Sequence, residues 1–211
     1  MIETRRVVLL LHGLGRRGAS MAPLARAIRP HLPARCLDYP TLGRAGIADH
    51  GAWLARVIAD ADADEVDIVT HSMGGLVVRH ALAARRLAGG TAADIGRIVM
   101  IAPPNAGSEV ARRVVGLLGP RALPALADLA LDTPAPTWSA DQGRLTVIAG
   151  APTNRNGYNP LLDGPNDGTV TLNETELDGM DAHVVLPGLH SFLPAQPNVR
   201  RATLEALDLK P

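Results

Sequence analysis

Short, unbroken apolar runs, each set apart from the next by a longer helical pattern or an irregular stretch, constrain this chain more than any other feature. The runs are Val7–Leu11, Ala34–Asp38, Val66–Thr70, Arg97–Ile101, Leu145–Ala149 and Val184–Leu186. Each is too short for a helix and rich in Val, Ile or Leu. Continuous rather than alternating apolarity suits strands buried on both faces. Helical patterns cover Met21–Arg29, Asp49–Asp60, Met73–Arg86, Ser108–Leu118 and Val199–Leu207. Strand and helix repeated in this way imply a parallel sheet covered on both sides. The expected fold is α/β, a three-layer α/β/α sandwich with a mostly parallel sheet of about six strands. The 211 residues are enough for one good core and short for two, so a single domain over 1–211 is expected.

Two stretches break the alternation. Pro103–Gln142 holds one amphipathic stripe (Val110, Ala111, Val114, Val115, Leu118) and then becomes rich in proline. Pro152–Asp167 is full of Asn, Gly and Pro. Long irregular stretches in a compact α/β domain are usually functional or disordered. The segment 104–142 is therefore a candidate lid-like insertion, although a helix simply packed on the sheet is the commoner use of such a stripe.

The run Val66–Thr70 leads directly into His71-Ser72-Met73-Gly74-Gly75 and then into a helical pattern. Strand, tight turn and helix with a serine at the turn is the geometry of a nucleophile elbow. Small residues are needed two positions to either side, where strand and helix approach closely. Gly74 fits; Thr70 stands where glycine is usual. A serine hydroxyl is a poor nucleophile without a base. On such sheets the acid and then the histidine follow the serine in sequence. Of the seven histidines, His12, His31, His50 and His71 precede Ser72, and His80 lies in the next helix. His183 opens its strand, at the end opposite to where ligands gather. His190 follows that strand and is the expected base. Asp163 and Asp167 both lie in a suitable loop. Asp163 reads as a turn residue; Asp167, in Gly164-Pro165-Asn166-Asp167-Gly168, is the expected acid. The oxyanion donors expected are the backbone N–H groups of Met73 and of Leu14, with Gly15 next in line.

Together LLLHGLGR, VTHSMGGLVVRHAL, VMIAPPNAGSEVA, GPNDGTV and VLPGLHSF resemble the α/β-hydrolase superfamily, in its small bacterial lipase and esterase branch. The likeness runs from about residue 7 to 193. It implies hydrolysis of carboxylic esters through an acyl-enzyme, with Ser72, Asp167 and His190 as the triad, no cofactor, and a small-molecule or lipid ester as substrate. It also implies a pared-down fold without a large cap domain, and gives Asn105 a loop-shaping part.

Two other readings compete. Gly13-Leu14-Gly15-Arg16-Arg17-Gly18 is a G-x-G-x-x-G, and Asp38 falls twenty residues past Gly18, as in a dinucleotide-binding fingerprint. That reading leaves the serine junction unexplained, and two arginines would crowd a pyrophosphate. A hydrolase fold kept as a non-catalytic binding module is the other. Composition narrows the rest. Acidic and basic residues balance at 21 each, which gives no electrostatic footprint for nucleic acid. No paired Cys/His spacing suggests a metal. The run Val7–Leu11 is too short for a signal h-region or a membrane span, so no integral membrane segment and a cytoplasmic location are expected.

Overall fold

The computed structural model describes residues 4–88, 93–153 and 156–210. Six strands form one sheet: β1 (Arg6–Leu11), β2 (Ala34–Leu37), β3 (Glu65–His71), β4 (Asp94–Ile101), β5 (Arg144–Gly150) and β6 (Ala182–Leu186). Their order is β2-β1-β3-β4-β5-β6 and every pairing is parallel. Each expected run lies in one of these strands, apart from Asp38, which falls just past the end of β2.

The strands are apolar throughout because both faces are covered. Leu9, Leu11, Ile68 and Met100 point to one side, where they meet Ile47, Leu54 and Ile58 of α2 (Ile47–Ala59) and Leu76, Val77 and Leu82 of α3 (Gly74–Leu87). Val8, Leu10, Val69 and Val99 point to the other, against Leu24 and Ile28 of α1 (Ala22–Ile28) and Val199 and Leu204 of α7 (Pro197–Ala206). Each of these large side chains contributes roughly 1.5–3 kcal/mol when fully buried. The result is the three-layer α/β/α sandwich that the alternation implies.

The segment after β4 carries α4 (Glu109–Leu118) and the short α5 (Pro124–Leu129). The second of these lies where the proline-rich pattern implies irregular chain. Pro124 instead occupies the first helical position, where a missing N–H costs nothing. Helix α2 begins two residues before the expected Asp49. Its first amide, Ile47 N–H, donates to Asp128 Oδ2 on α5 at 2.7 Å, and Gly46 N–H donates to Asp49 Oδ2 at 2.9 Å. Asp49 is thus the third helical residue reaching back to the N-cap Gly46, and the second cap comes from a distant helix that leaves no local signal. The small helix α6 (Leu172–Thr175) follows the acid-bearing loop, opened by Thr171, whose hydroxyl accepts from Glu174 N–H.

The strand order reverses between β1 and β3, which places a crevice at their carboxyl ends. Gly13 leaves β1 and Ser72 leaves β3 at that crevice.

Candidate active site

Ser72 has φ of 55°, in the left-handed region that side chains rarely occupy. The strain is held from both sides. Ser72 N–H donates to Ile101 O at 2.8 Å, extending the β3–β4 pairing by one residue, and Ser72 O accepts from Gly75 N–H at 3.0 Å. Two glycines make the turn possible. A Cβ on Gly74 would lie 3.1 Å from His12 O and 3.2 Å from Leu11 O, where α3 crosses the end of β1. A Cβ on Gly13 would lie 2.8 Å from the Cβ of Ser72 itself. Thr70 is fully buried, and among the described residues its hydroxyl has no partner.

Asp167 and His190 meet at 2.6 Å, Oδ2 to Nδ1. Asp167 is 1% exposed. Its Oδ1 accepts from Thr169 N–H at 2.9 Å and Val170 N–H at 2.7 Å, so the loop wraps the carboxylate as its glycines allow. The two residues are also tied through the backbone, His190 N–H to Asp167 O at 2.9 Å. A carboxylate at Nδ1 fixes the proton there and leaves Nε2 as the free acceptor. Ser72 and His190 line one cavity of about 220 Å³, with Leu14, Val110, Ala111, Leu126, Leu129 and Val170 as its apolar walls. No hydrogen bond joins the Ser72 hydroxyl to any described residue; such contacts are often long before substrate binds.

Leu14 and Met73 flank the serine with backbone N–H groups that find no partner among the described residues. Gly15, the second choice for a donor, is excluded: its N–H is taken by Thr41 Oγ1 at 2.9 Å. Gly18 N–H likewise donates to Asp38 Oδ1 at 2.7 Å. Two amides of the glycine-rich stretch, and the acid that a ribose would require, thus bind each other and the neighbouring loop. These bonds engage two of the amides that a pyrophosphate cradle would use.

Asp163 is exposed, and His183 bonds Thr175 Oγ1 at 3.0 Å on the β6 side; neither lines the cavity. Asn105 is buried, donating to Thr175 O at 2.9 Å, in keeping with a loop-shaping part.

Four supporting residues escaped the sequence reading. Asn166 is fully buried and makes four hydrogen bonds. Its Nδ2 donates to Asn159 O (3.1 Å) and Gly164 O (3.0 Å), and its Oδ1 accepts from Asn159 N–H (2.9 Å) and Gly168 N–H (3.0 Å). Glu174 accepts from Thr171 N–H at 2.8 Å and from Glu109 N–H at 2.6 Å, joining the acid loop to the start of α4. Arg79, buried in α3, donates to the carbonyls of Asn105 (2.9 Å), Ala135 (3.0 Å) and Pro136 (2.8 Å). With no carboxylate there, burial lowers its pKa to about 10. His71 is buried, lines the same cavity, and its Nε2 donates to His190 O at 3.0 Å. A carbonyl can only accept, so Nε2 carries the proton. Burial above all, then the charge His190 can carry, holds His71 well below the usual histidine range and keeps it neutral.

Comparison with known proteins supports the fold at low identity. A family model described as a domain of unknown function, DUF7379, matches residues 2–115. No curated protein matches. The mature form of the lipase BlEst2 from Bacillus licheniformis is 19% identical with a TM-score of 0.71, over 98% of this chain and 93% of that one. This chain spans only 49% of the propeptide form of the same lipase. Phospholipase PlaB from Legionella pneumophila is 16% identical with a TM-score of 0.72, over 99% of this chain and 60% of that one. The RedJ thioesterase from the prodiginine biosynthetic pathway in Streptomyces coelicolor is 15% identical with a TM-score of 0.63, over 98% of this chain and 86% of that one.

Proposed function

The chain belongs to the DUF7379 family and has the α/β-hydrolase fold, and from that premise we propose that it is a serine hydrolase cleaving carboxylic esters through an acyl-enzyme on Ser72. One observation carries the reading: a strained serine on a strand-to-helix turn shares a cavity with a histidine whose other nitrogen is 2.6 Å from a buried carboxylate. Nothing in a dinucleotide site calls for that arrangement.

The Ser72 hydroxyl attacks the ester carbonyl and Nε2 of His190 takes its proton. Asp167 holds the ring in the required tautomer and stabilises the imidazolium. The N–H groups of Leu14 and Met73 receive the oxyanion as it forms. His190 then protonates the departing alcohol. Water, activated by the same nitrogen, releases the acid and restores Ser72. The acyl chain lies along Leu14, Val110, Ala111, Leu126, Leu129 and Val170. A cavity of about 220 Å³ suits short acyl groups better than long ones. Within a single domain, the segment 104–142 acts as a cap on this cavity through α4 and α5, held to the body by Arg79. Among the described residues no helix is long and apolar enough to cross a membrane. The thioesterase among the similar structures makes thioesters the second class to assay.

The test is hydrolysis of p-nitrophenyl esters with acyl chains from two to sixteen carbons, wild type beside Ser72→Ala. Turnover that falls with chain length and is lost in the variant is expected. An inert wild type, unreactive also toward a serine-directed phosphonate, would favour the binding-module reading instead.

A further inference from the structure

A second, more open cleft of about 740 Å³ adjoins the serine cavity. Gly15, Arg16 and Arg17 form one wall, and the loop from Asp38 to Gly43 forms the other. The two walls are cross-bonded through Gly15 N–H to Thr41 Oγ1 and Gly18 N–H to Asp38 Oδ1. Arg16 lines both this cleft and the serine cavity, so it stands on the divide between them. The serine cavity is walled mainly by apolar side chains; the cleft has apolar lining too, from Tyr39, Pro40 and Leu42, but adds Arg17 and Asp38 to the Arg16 that the two spaces share. Among the described residues neither Arg16 nor Arg17 has a carboxylate within ion-pair distance. The one carboxylate in the cleft, Asp38, is drawn to Gly18 N–H instead. The charge of Arg16 reaches the site, where it helps to disfavour a proton on His71.

We propose that this cleft is the leaving-group subsite and that Arg16, supported by Arg17, selects esters whose alcohol carries an anionic group. The inference rests on the serine-hydrolase reading. An ester bound with its acyl chain in the apolar cavity must direct its alcohol toward the other opening. There an anion a few bonds beyond the ester oxygen meets a guanidinium with no partner among the described residues. A carboxylate and a phosphate present the same fork of oxygens to that group. The loop that carries the Leu14 N–H also carries Arg16, so an anion held by Arg16 registers the carbonyl against the oxyanion donors.

Three butyryl esters test the proposal: those of phenol, 3-hydroxybenzoate and 3-hydroxyphenyl phosphate. The readout is kcat/KM for each anionic ester divided by that for the phenyl ester, in wild type, Arg16→Gln and Arg16→Gln/Arg17→Gln. Taking the ratio cancels any general damage to the site. A charge-assisted contact predicts a fall in that ratio of about tenfold in Arg16→Gln, larger in the double variant and smaller in high salt. Whichever anion shows the larger fall identifies the group recognised. A ratio unchanged by either substitution overturns the proposal. If no ester is hydrolysed, the serine-hydrolase reading fails separately, and calorimetry of 3-hydroxybenzoate with Ser72→Ala protein decides the subsite. Saturable binding that Arg16→Gln abolishes upholds it, and none up to about 10 mM, the limit of weak specific binding, overturns it.

Discussion

Replacing Asn166 by Asp changes one atom type and inverts half of its hydrogen bonding. The acceptor half survives, because a carboxylate oxygen still receives Asn159 N–H and Gly168 N–H. The donor half becomes an oxygen facing Asn159 O and Gly164 O, which Nδ2 approaches at 3.1 and 3.0 Å. Two hydrogen bonds are lost, at about 1 kcal/mol each, and a charge is left in a fully buried position with two carbonyls against it. We expect Asn166→Asp to lose about 3–5 kcal/mol at pH 7.5, more than Asn166→Ala, which removes all four bonds but buries no charge. Burial and the facing carbonyls raise the pKa of the new carboxyl above its unfolded value. The sign follows: the penalty is absent below the unfolded value near 3.9 and grows as pH rises through the folded one. The deficit relative to wild type should therefore shrink as pH falls. Turnover should fall as well, because losing the bonds to Asn159 O and Gly164 O loosens the loop that carries Asp167. Urea unfolding of wild type and both variants at pH 7.5 and 5 measures the deficits. A loss under 0.5 kcal/mol, or a deficit that grows on acidification, would refute the reasoning.

Gly13→Ala should cut turnover of p-nitrophenyl esters at least tenfold, because its Cβ would press on that of Ser72 at 2.8 Å; unchanged turnover would mean that the turn yields freely. Ser72→Gly should be more stable than Ser72→Ala by roughly 0.5–1 kcal/mol in urea, since only glycine adopts φ near 55° without strain. His12 and His71 are both buried and held below the usual histidine range mainly by burial. Their contribution to stability is complete above about pH 6.5 and is lost as pH falls below it, by up to about 1.4 kcal/mol per unit for each, so flat urea midpoints from pH 7.5 to 5 would contradict it. Asp67 is fully buried, paired with Arg6, and accepts Arg97 N–H at 2.7 Å; Asp67→Ala should cost about 3–5 kcal/mol by leaving Arg6 half-paired and that amide bare, as thermal unfolding would report.

The sheet was legible because burial on both faces makes a parallel strand apolar throughout, and Val7–Leu11 or Leu145–Ala149 can hardly be anything else. Ser72, Asp167 and His190 were legible because each sits at a turn that demands a particular local sequence, and the structure brings Asp167 and His190 together beside the serine turn. Other features were hidden for different reasons. Asn166 lies inside the motif that located Asp167, yet its four bonds go to backbone atoms that no pattern marks. Glu174 was readable in principle, as the third residue of the capping box opened by Thr171. Arg79 gave no signal at all, since a helical arginine is ordinarily a solvated one and its partners are carbonyls more than twenty positions away. The start of α2 lies two residues earlier than expected because Asp49 is its third residue, bonding back to Gly46, while Asp128 caps it from outside the local sequence. The glycine-rich stretch is ambiguous as a pattern: its spacing fits a nucleotide fingerprint, while Thr41 and Asp38 occupy two of its amides.

One carboxylate, that of Glu174, receives the first amide of α4 and the amide of Thr171. For an engineer this means that residues 105–175 do not divide into exchangeable parts. A segment 104–142 grafted from another protein would arrive without its anchor, and the Asp167 loop grafted alone would lose the helix it steadies. Libraries meant to reshape the serine cavity should leave Glu174 and Glu109 fixed and vary Val110, Leu126 and Leu129, which line it. Recombination breakpoints belong before Asn105 and after Thr175, where a single inherited block keeps both ends of the brace.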